Sequence, residues 1–187
     1  DTTNRWATSV PGTSDSIAIS EVQGGSALIT TGTADNDSCM LAGAIIYSAD
    51  NLAVVEFRIT ITDVSGTGVY VGFSDAKSEA NNSIAIHYPA DSLTTVASDA
   101  AGFVIDADHS SSLMMCAGVK ANTDTTPVSS TITWTDGQTK NLRILLDADG
   151  AATYVVDGDV VAKIANSVTD STLLCPTVQA ITRAGDG

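Results

Sequence analysis

The chain has 187 residues, with 22 acidic against 8 basic side chains and a formal net charge of −14. So few cations exclude nucleic-acid binding, which draws its affinity from Lys and Arg displacing counterions from phosphates, and the negative field repels anionic membrane surfaces. The length suits one domain around one core, and a composition rich in Thr, Ser, Val, Ala, Asp and Gly favours strands and turns over helices.

Residues 1–16 read as a polar N-terminal extension or arm, carrying one large anchor, Trp6. Residues 17–187 read as the single β-sandwich domain. Weak strand signals lie over 17–22, 27–30 and 40–47. The clearest strand follows at 55–62, where Val55, Phe57, Ile59 and Ile61 alternate with Glu56, Arg58, Thr60 and Thr62, so one face is buried and the other wet. Ser65-Gly66-Thr67-Gly68 reads as a turn that returns the chain as Val69-Tyr70-Val71-Gly72-Phe73, most simply an antiparallel hairpin.

Further strand signals fall at 84–88, 102–105, 113–119, 131–134 and 178–182, and at most one short helix fits, around 90–100. Leu142-Arg143-Ile144-Leu145-Leu146, Ala152-Thr153-Tyr154-Val155-Val156 and Val160-Val161-Ala162-Lys163-Ile164 form a three-strand meander. Its second turn is Asp157-Gly158, a pair that accepts the positive φ angles a tight hairpin needs. Short strands recurring between Gly, Asn, Asp and Ser clusters, with no sustained helical period, specify an all-β antiparallel sandwich or barrel.

The residue types that carry chemistry are thinly spread. Glycoside hydrolysis needs two carboxylates flanking the bond, and Glu56 alternates with Arg58 and Thr60 where Glu-x-Asp-x-x-Glu would be needed. Asp106 and Asp108 read as loop caps, and the Asp147-Ala148-Asp149-Gly150 and Asp157-Gly158-Asp159 clusters as turns without the later ligands of a calcium loop. His87 and His109 have no nucleophile motif beside them. No catalytic residue, metal ligand or cofactor is therefore expected. Cys39, Cys116 and Cys175 are too scattered for a metal knuckle and read as buried free thiols, with a single disulfide as the alternative. No apolar run reaches the roughly 20 residues of a membrane helix, and a soluble chain is expected. Trp6, Tyr88 and Trp134 are the candidate contacts to a partner or a glycan, because aromatic faces stack on sugars and anchor interfaces.

Several stretches in order carry a resemblance: Leu28-Ile29-Thr30-Thr31-Gly32-Thr33-Ala34-Asp35-Asn36-Asp37-Ser38, Val55-Glu56-Phe57-Arg58, Val71-Gly72-Phe73-Ser74-Asp75, Gly102-Phe103-Val104-Ile105-Asp106 and Cys116-Ala117-Gly118-Val119-Lys120-Ala121-Asn122-Thr123-Asp124, then the closing meander. From about Trp6 to Thr182 the chain resembles tailed-phage virion structural proteins of the capsid decoration or head fibre type, which have a concanavalin A-like lectin/glucanase jelly-roll fold. The resemblance implies a non-enzymatic decoration or cement protein on the outer capsid surface of a virion. Its expected partners are the major capsid protein and further copies of itself in a symmetric homo-oligomer. The alternative is a carbohydrate-binding, lectin-like domain of a head or tail fibre, contacting surface glycans during host adsorption.

Overall fold

The computed structural model describes residues 6–11, 14–20, 26–77, 83–111 and 113–183. In chain order the strands are β1 (Ala7–Ser9), β2 (Ser16–Ser20), β3 (Ser26–Thr30), β4 (Ser38–Ala42), β5 (Val54–Thr60), β6 (Thr67–Ser74), β7 (Ile86–His87) and β8 (Thr94–Thr95). They continue as β9 (Ala100–Ile105), β10 (Leu113–Lys120), β11 (Thr123–Asp124), β12 (Val128–Thr133), β13 (Thr139–Leu146), β14 (Ala152–Val156), β15 (Asp159–Ile164) and β16 (Cys175–Thr182). The only helical pieces among the described residues are single 3-10 turns at Ala49–Asn51 and Pro89–Asp91. The chain is thus the all-β antiparallel sandwich its composition calls for.

An eight-stranded sheet runs β1-β4-β16-β6-β9-β10-β11, with β12 also on β10, and faces a four-stranded sheet in the order β15-β14-β13-β5. Between them lies the main core, in which Val69, Val71, Phe73, Phe103, Ile105, Met114 and Cys116 of the large sheet meet Leu142, Ile144, Leu146, Tyr154 and Val156 of the small one. The meander forms as expected: β14 pairs with both β13 and β15, and the turn between β14 and β15 has Asp157 at φ 50° and Gly158 at φ 100°.

Three sequence expectations need correction. The strands around 55–62 and 69–73 do not form a hairpin: β5 pairs with β13 in the small sheet, and β6 lies between β16 and β9 in the large one. The Asp63 carboxylate accepts the Ser65 and Gly66 N–H groups and the Ser65 hydroxyl, and Val64 N–H donates to Asp136. This knot carries the chain from one sheet to the other, so Val55, Phe57 and Ile59 pack across the sandwich from β6. Around 90–100 the helical piece is only the 3-10 turn at Pro89–Asp91, because Ala90 (φ 48°) and Asp91 (φ 60°) are left-handed and β8 pairs back onto β7. The strand expected at 40–47 ends at Ala42, where Gly43 turns under Pro176, and Tyr47 makes an isolated bridge to Leu174. Part of the 17–22 strand lies outside the described residues. Within the stretch read as an arm, Ala7–Ser9 pairs with β4 of its own sheet.

The outer face of the large sheet is also covered. Ile84, Ala85 and Ile86, all at most 1 % exposed, and Ala97 pack on Tyr70, Val104, Ala117, Val119 and Ile181 as a second core. Gly102 leaves room for this layer: a Cβ there would meet the Tyr70 ring at 2.3 Å, and the Tyr70 hydroxyl donates to the Phe73 carbonyl. Ala85 N–H donates to the Gln179 side-chain carbonyl, fixing the covering segment in register. Burial of Ile84 and Ile86 contributes about 1.5–3 kcal/mol each. The segment 83–97 therefore makes a third layer and fills what would otherwise be an open sheet face.

All three cysteines are buried free thiols, and no disulfide forms among them. Burial pushes the Cys39 and Cys116 thiols up to about 12 and Cys175 up to about 11. Since the thiolate is the reactive form, the folded protein is expected to show negligible reaction with Ellman's reagent at pH 8, and three thiols per chain in guanidinium chloride. Rapid modification of any thiol in the native protein would contradict the buried placement.

Candidate functional site

A dense polar constellation lies at one end of the large sheet, where three distant segments converge on Arg183. This residue follows β16, and its side chain is 4 % exposed. Its guanidinium grips Asp106 with two parallel bonds, Nε to Oδ1 at 2.9 Å and Nη2 to Oδ2 at 2.7 Å. It also donates to Asn36 Oδ1 at 2.5 Å and to His87 Nδ1 at 3.0 Å, and its Nε lies 3.4 Å from Asp108 Oδ2. Asp106 in turn accepts Tyr88 N–H at 3.0 Å and Asp108 N–H at 3.2 Å. A planar fork meeting a carboxylate fixes both orientation and distance, so this pair is a rigid mount for the loops around it.

Because His87 Nδ1 accepts from Arg183, the neutral imidazole carries its proton on Nε2, which is buried and without a hydrogen-bond partner among the described residues. Burial, then the adjacent Arg183 charge, hold His87 below its usual value, partly opposed by Asp106. His87 is thus a neutral member of the mount.

The mount holds two loops, 88–92 and 106–111, which are stitched to each other. Ala90 N–H donates to Asp108 O at 3.0 Å, Ser110 N–H to Asp91 Oδ1 at 2.9 Å, and His109 Nε2 lies 3.3 Å from the same oxygen. His109 Nδ1 lies 2.8 Å from Ser111 O and 3.0 Å from Ser111 N, which ties the ring to its own loop. The Tyr88 and His109 rings lie 4.6 Å apart at 32°. Hydrogen bonds from Ser110, with His109 nearby, hold the exposed Asp91 carboxyl below its usual value. The consecutive left-handed residues Ala90 and Asp91 persist because these cross-links over-determine the loop. The Asp91 and Asp108 side chains are 51 % and 45 % exposed, and the half-buried Tyr88 ring packs between the second core and His109. A partly exposed aromatic ring can stack on the C–H face of a pyranose, and carboxylates on the same loops can accept hydrogen bonds from its hydroxyls.

The three aromatics singled out from sequence do not form a row. Trp134 lies in the main core, 2 % exposed, with its indole N–H donated to Gln138 O at 2.9 Å and Lys140 5.8 Å from the ring centre. Trp6 is 46 % exposed next to β1, at the Ala42 end of β4, whereas Tyr88 sits by Asp106 at the opposite end of the sheet. Asp106 takes the capping role read for it by accepting the Asp108 N–H, while the Asp108 carboxylate lies against Arg183, and Asp147 accepts the Asp149 and Ala151 N–H groups of its own turn. Glu56 is ion-paired with Arg143 on the outer face of the small sheet. No group of three metal-ligating side chains forms among the described residues, and no helix there is long and apolar enough to cross a membrane. Sequence reading missed Arg183, Asn36 and Asp91. Arg183 lies 77 positions from Asp106, and no local pattern links the two.

No protein-family model matches the sequence, and no curated protein matches it. Solved structures do match in fold. The Emp46p carbohydrate recognition domain superposes with a TM-score of 0.65 at 13% identity, over 97% of this chain and 82% of that one. The carbohydrate-binding module CBM66 from Bacillus subtilis gives 0.54 at 15% identity, over 96% and 92%. A Bacillus licheniformis β-glucanase gives 0.50 at 9% identity, over 79% of this chain and 59% of that one. With its two facing antiparallel sheets and these structural neighbours, the chain is a concanavalin A-like jelly-roll sandwich.

Proposed function

We propose that the chain is a non-catalytic, lectin-like domain that binds carbohydrate at the surface formed by loops 88–92 and 106–111. The observation that carries this reading is the Arg183–Asp106 mount, which holds Tyr88, Asp91 and Asp108 in fixed relation at the rim of the large sheet. Preformed, rigid polar groups around an aromatic ring are what sugar recognition requires, because a mobile site would lose ordering entropy on binding. Two neighbours in fold are a carbohydrate recognition domain and a carbohydrate-binding module, which agrees with this chemistry. Against hydrolysis, Glu56 and Asp106 are each committed to an arginine, and the segment 83–97 fills the outer face of the large sheet.

A glycan array probed with the labelled chain is the direct test. Binding to a restricted set of glycans is expected, with Tyr88→Ala weakening it at least tenfold, about 1.4 kcal/mol, while the fold is retained. A silent array, or full binding by Tyr88→Ala, would remove this reading.

A second reading is favoured by the resemblance to phage virion proteins and by the net charge of −14, which suits a surface displayed in many copies. On it, the chain decorates an outer capsid surface, binding the major capsid protein as a symmetric homo-oligomer. Mass spectrometry of purified virions decides the matter: a copy number near that of the major capsid protein supports decoration, and absence from particles refutes it. Glycan binding and capsid decoration are compatible on one virion surface.

A further inference from the structure

The two layers of the sandwich are unequal in width, and the difference is concentrated at one place. The small sheet ends at β5, which pairs only with β13, while β3 pairs only with β2 in a separate two-stranded sheet. Among the described residues no strand occupies the outer edge of either. Between β3 and the β5 end lies a cleft of about 440 Å³, lined by Ile29, Ile59, Ile61, Val69, Val178 and Ala180 among others. Its floor is the inner surface of β6 and β16, and its two walls are strand edges.

We propose that this cleft accepts one extended polypeptide strand from another protein, inserted between β5 and β3. Strands in a sheet lie about 4.8 Å apart, and a strand edge presents main-chain N–H and C=O groups that only another extended backbone can pair as a ladder. Here two such edges border one slot, so a single guest strand would complete the layer as β15-β14-β13-β5-guest-β3-β2. The five residues of β3 set the paired length at about 17 Å. The apolar floor selects small or β-branched apolar side chains at alternate guest positions, with the others facing out. Arg58 and Asp63 are the charged side chains at the cleft, one of each sign, so it has no local demand for charge. The chain as a whole carries −14, which disfavours a second copy or an acidic segment as guest. The occupant is therefore a neutral to basic extended segment of a different protein.

The probe is a fluorescein-labelled octapeptide of three Val-Thr repeats flanked by lysines, titrated with the intact chain and followed by anisotropy. Saturable binding is expected, with amide shift changes in an NMR titration confined to 26–30, 54–60 and the floor strands. The same peptide N-methylated at alternate amides is expected not to bind, since it cannot complete both ladders. Ala180→Phe fills the floor and is expected to weaken binding at least tenfold, with Ala180→Ser as the control that retains it. No rise in anisotropy, equal binding of the N-methylated peptide, or shifts mapping elsewhere would each overturn the proposal, and none of these depends on the folding of Ala180→Phe. Self-association of the wild-type chain that Ala180→Phe abolishes would also overturn it, by identifying a second copy as the occupant.

Discussion

Replacing Arg183 with methionine is expected to lower the unfolding free energy by about 3–5 kcal/mol, because Asp106 then remains as a buried carboxylate without its partner. The Asp106 side chain is 0 % exposed, and two of its bonds come from the guanidinium. The double variant Arg183→Met with Asp106→Leu removes both charges and is expected to recover most of the loss. Urea denaturation of the two variants checks this, and equal destabilisation of single and double variants would show that packing, not charge pairing, dominates. The same cluster sets a pH dependence. Burial and the adjacent guanidinium hold folded His87 below its unfolded value of 6.5, so the unfolded chain binds a proton that the folded chain resists. This contribution is full above that value and is lost as the pH falls through and below it. His87→Gln keeps an acceptor for Arg183, and it is expected to lose less stability than the wild type between pH 7.5 and 5.5. An unchanged pH slope in that variant would exclude His87 as the source.

Tyr70→Ala is expected to cost about 3–5 kcal/mol, the range for deleting a fully buried aromatic side chain. Tyr70 is 0 % exposed and lies between the large sheet and the covering segment 83–97, its ring over Gly102. Tyr70→Phe retains the ring and loses the hydroxyl's bond to Phe73 O, and about 1 kcal/mol is expected. Thermal unfolding of both variants tests this, with limited proteolysis to show whether the segment 83–97 detaches in Tyr70→Ala. If the two substitutions cost the same, the hydroxyl bond, not the ring, fixes the third layer.

What could be read from sequence follows from the range of the interactions involved. The β13-β14-β15 meander was legible because its turn is local: Asp157 and Gly158 both take positive φ angles, and the strands on either side follow directly. The pairing of β5 was not legible, because alternation at Val55, Phe57 and Ile59 reports which face is buried and is silent on which strand is the neighbour. Residues 84–88 read as an ordinary strand, yet only Ile86–His87 is one, and its apolar side chains serve a second core that no local period announces. At the site, Tyr88 and Asp106 were visible as residue types worth attention. Their common dependence on Arg183 was not, because the contact spans 77 positions and the arginine has no motif around it. Trp134, just past the end of β12, is buried in the main core, which no local period announces either.

The position of β16 bears on how the chain is made. This strand comes last among the sixteen, yet it lies between β4 and β6, pairing along its length with both. During synthesis those two strands emerge long before their common partner, and each waits with an unpaired edge while more than a hundred residues follow. The large sheet therefore closes only after residue 182 has left the ribosome, and Arg183 then seals it against Asp106. Such a topology folds slowly, because the sheet's central pairings are also its most distant in sequence. Until β16 is in place, the growing chain leaves the β4 and β6 edges open to mispairing.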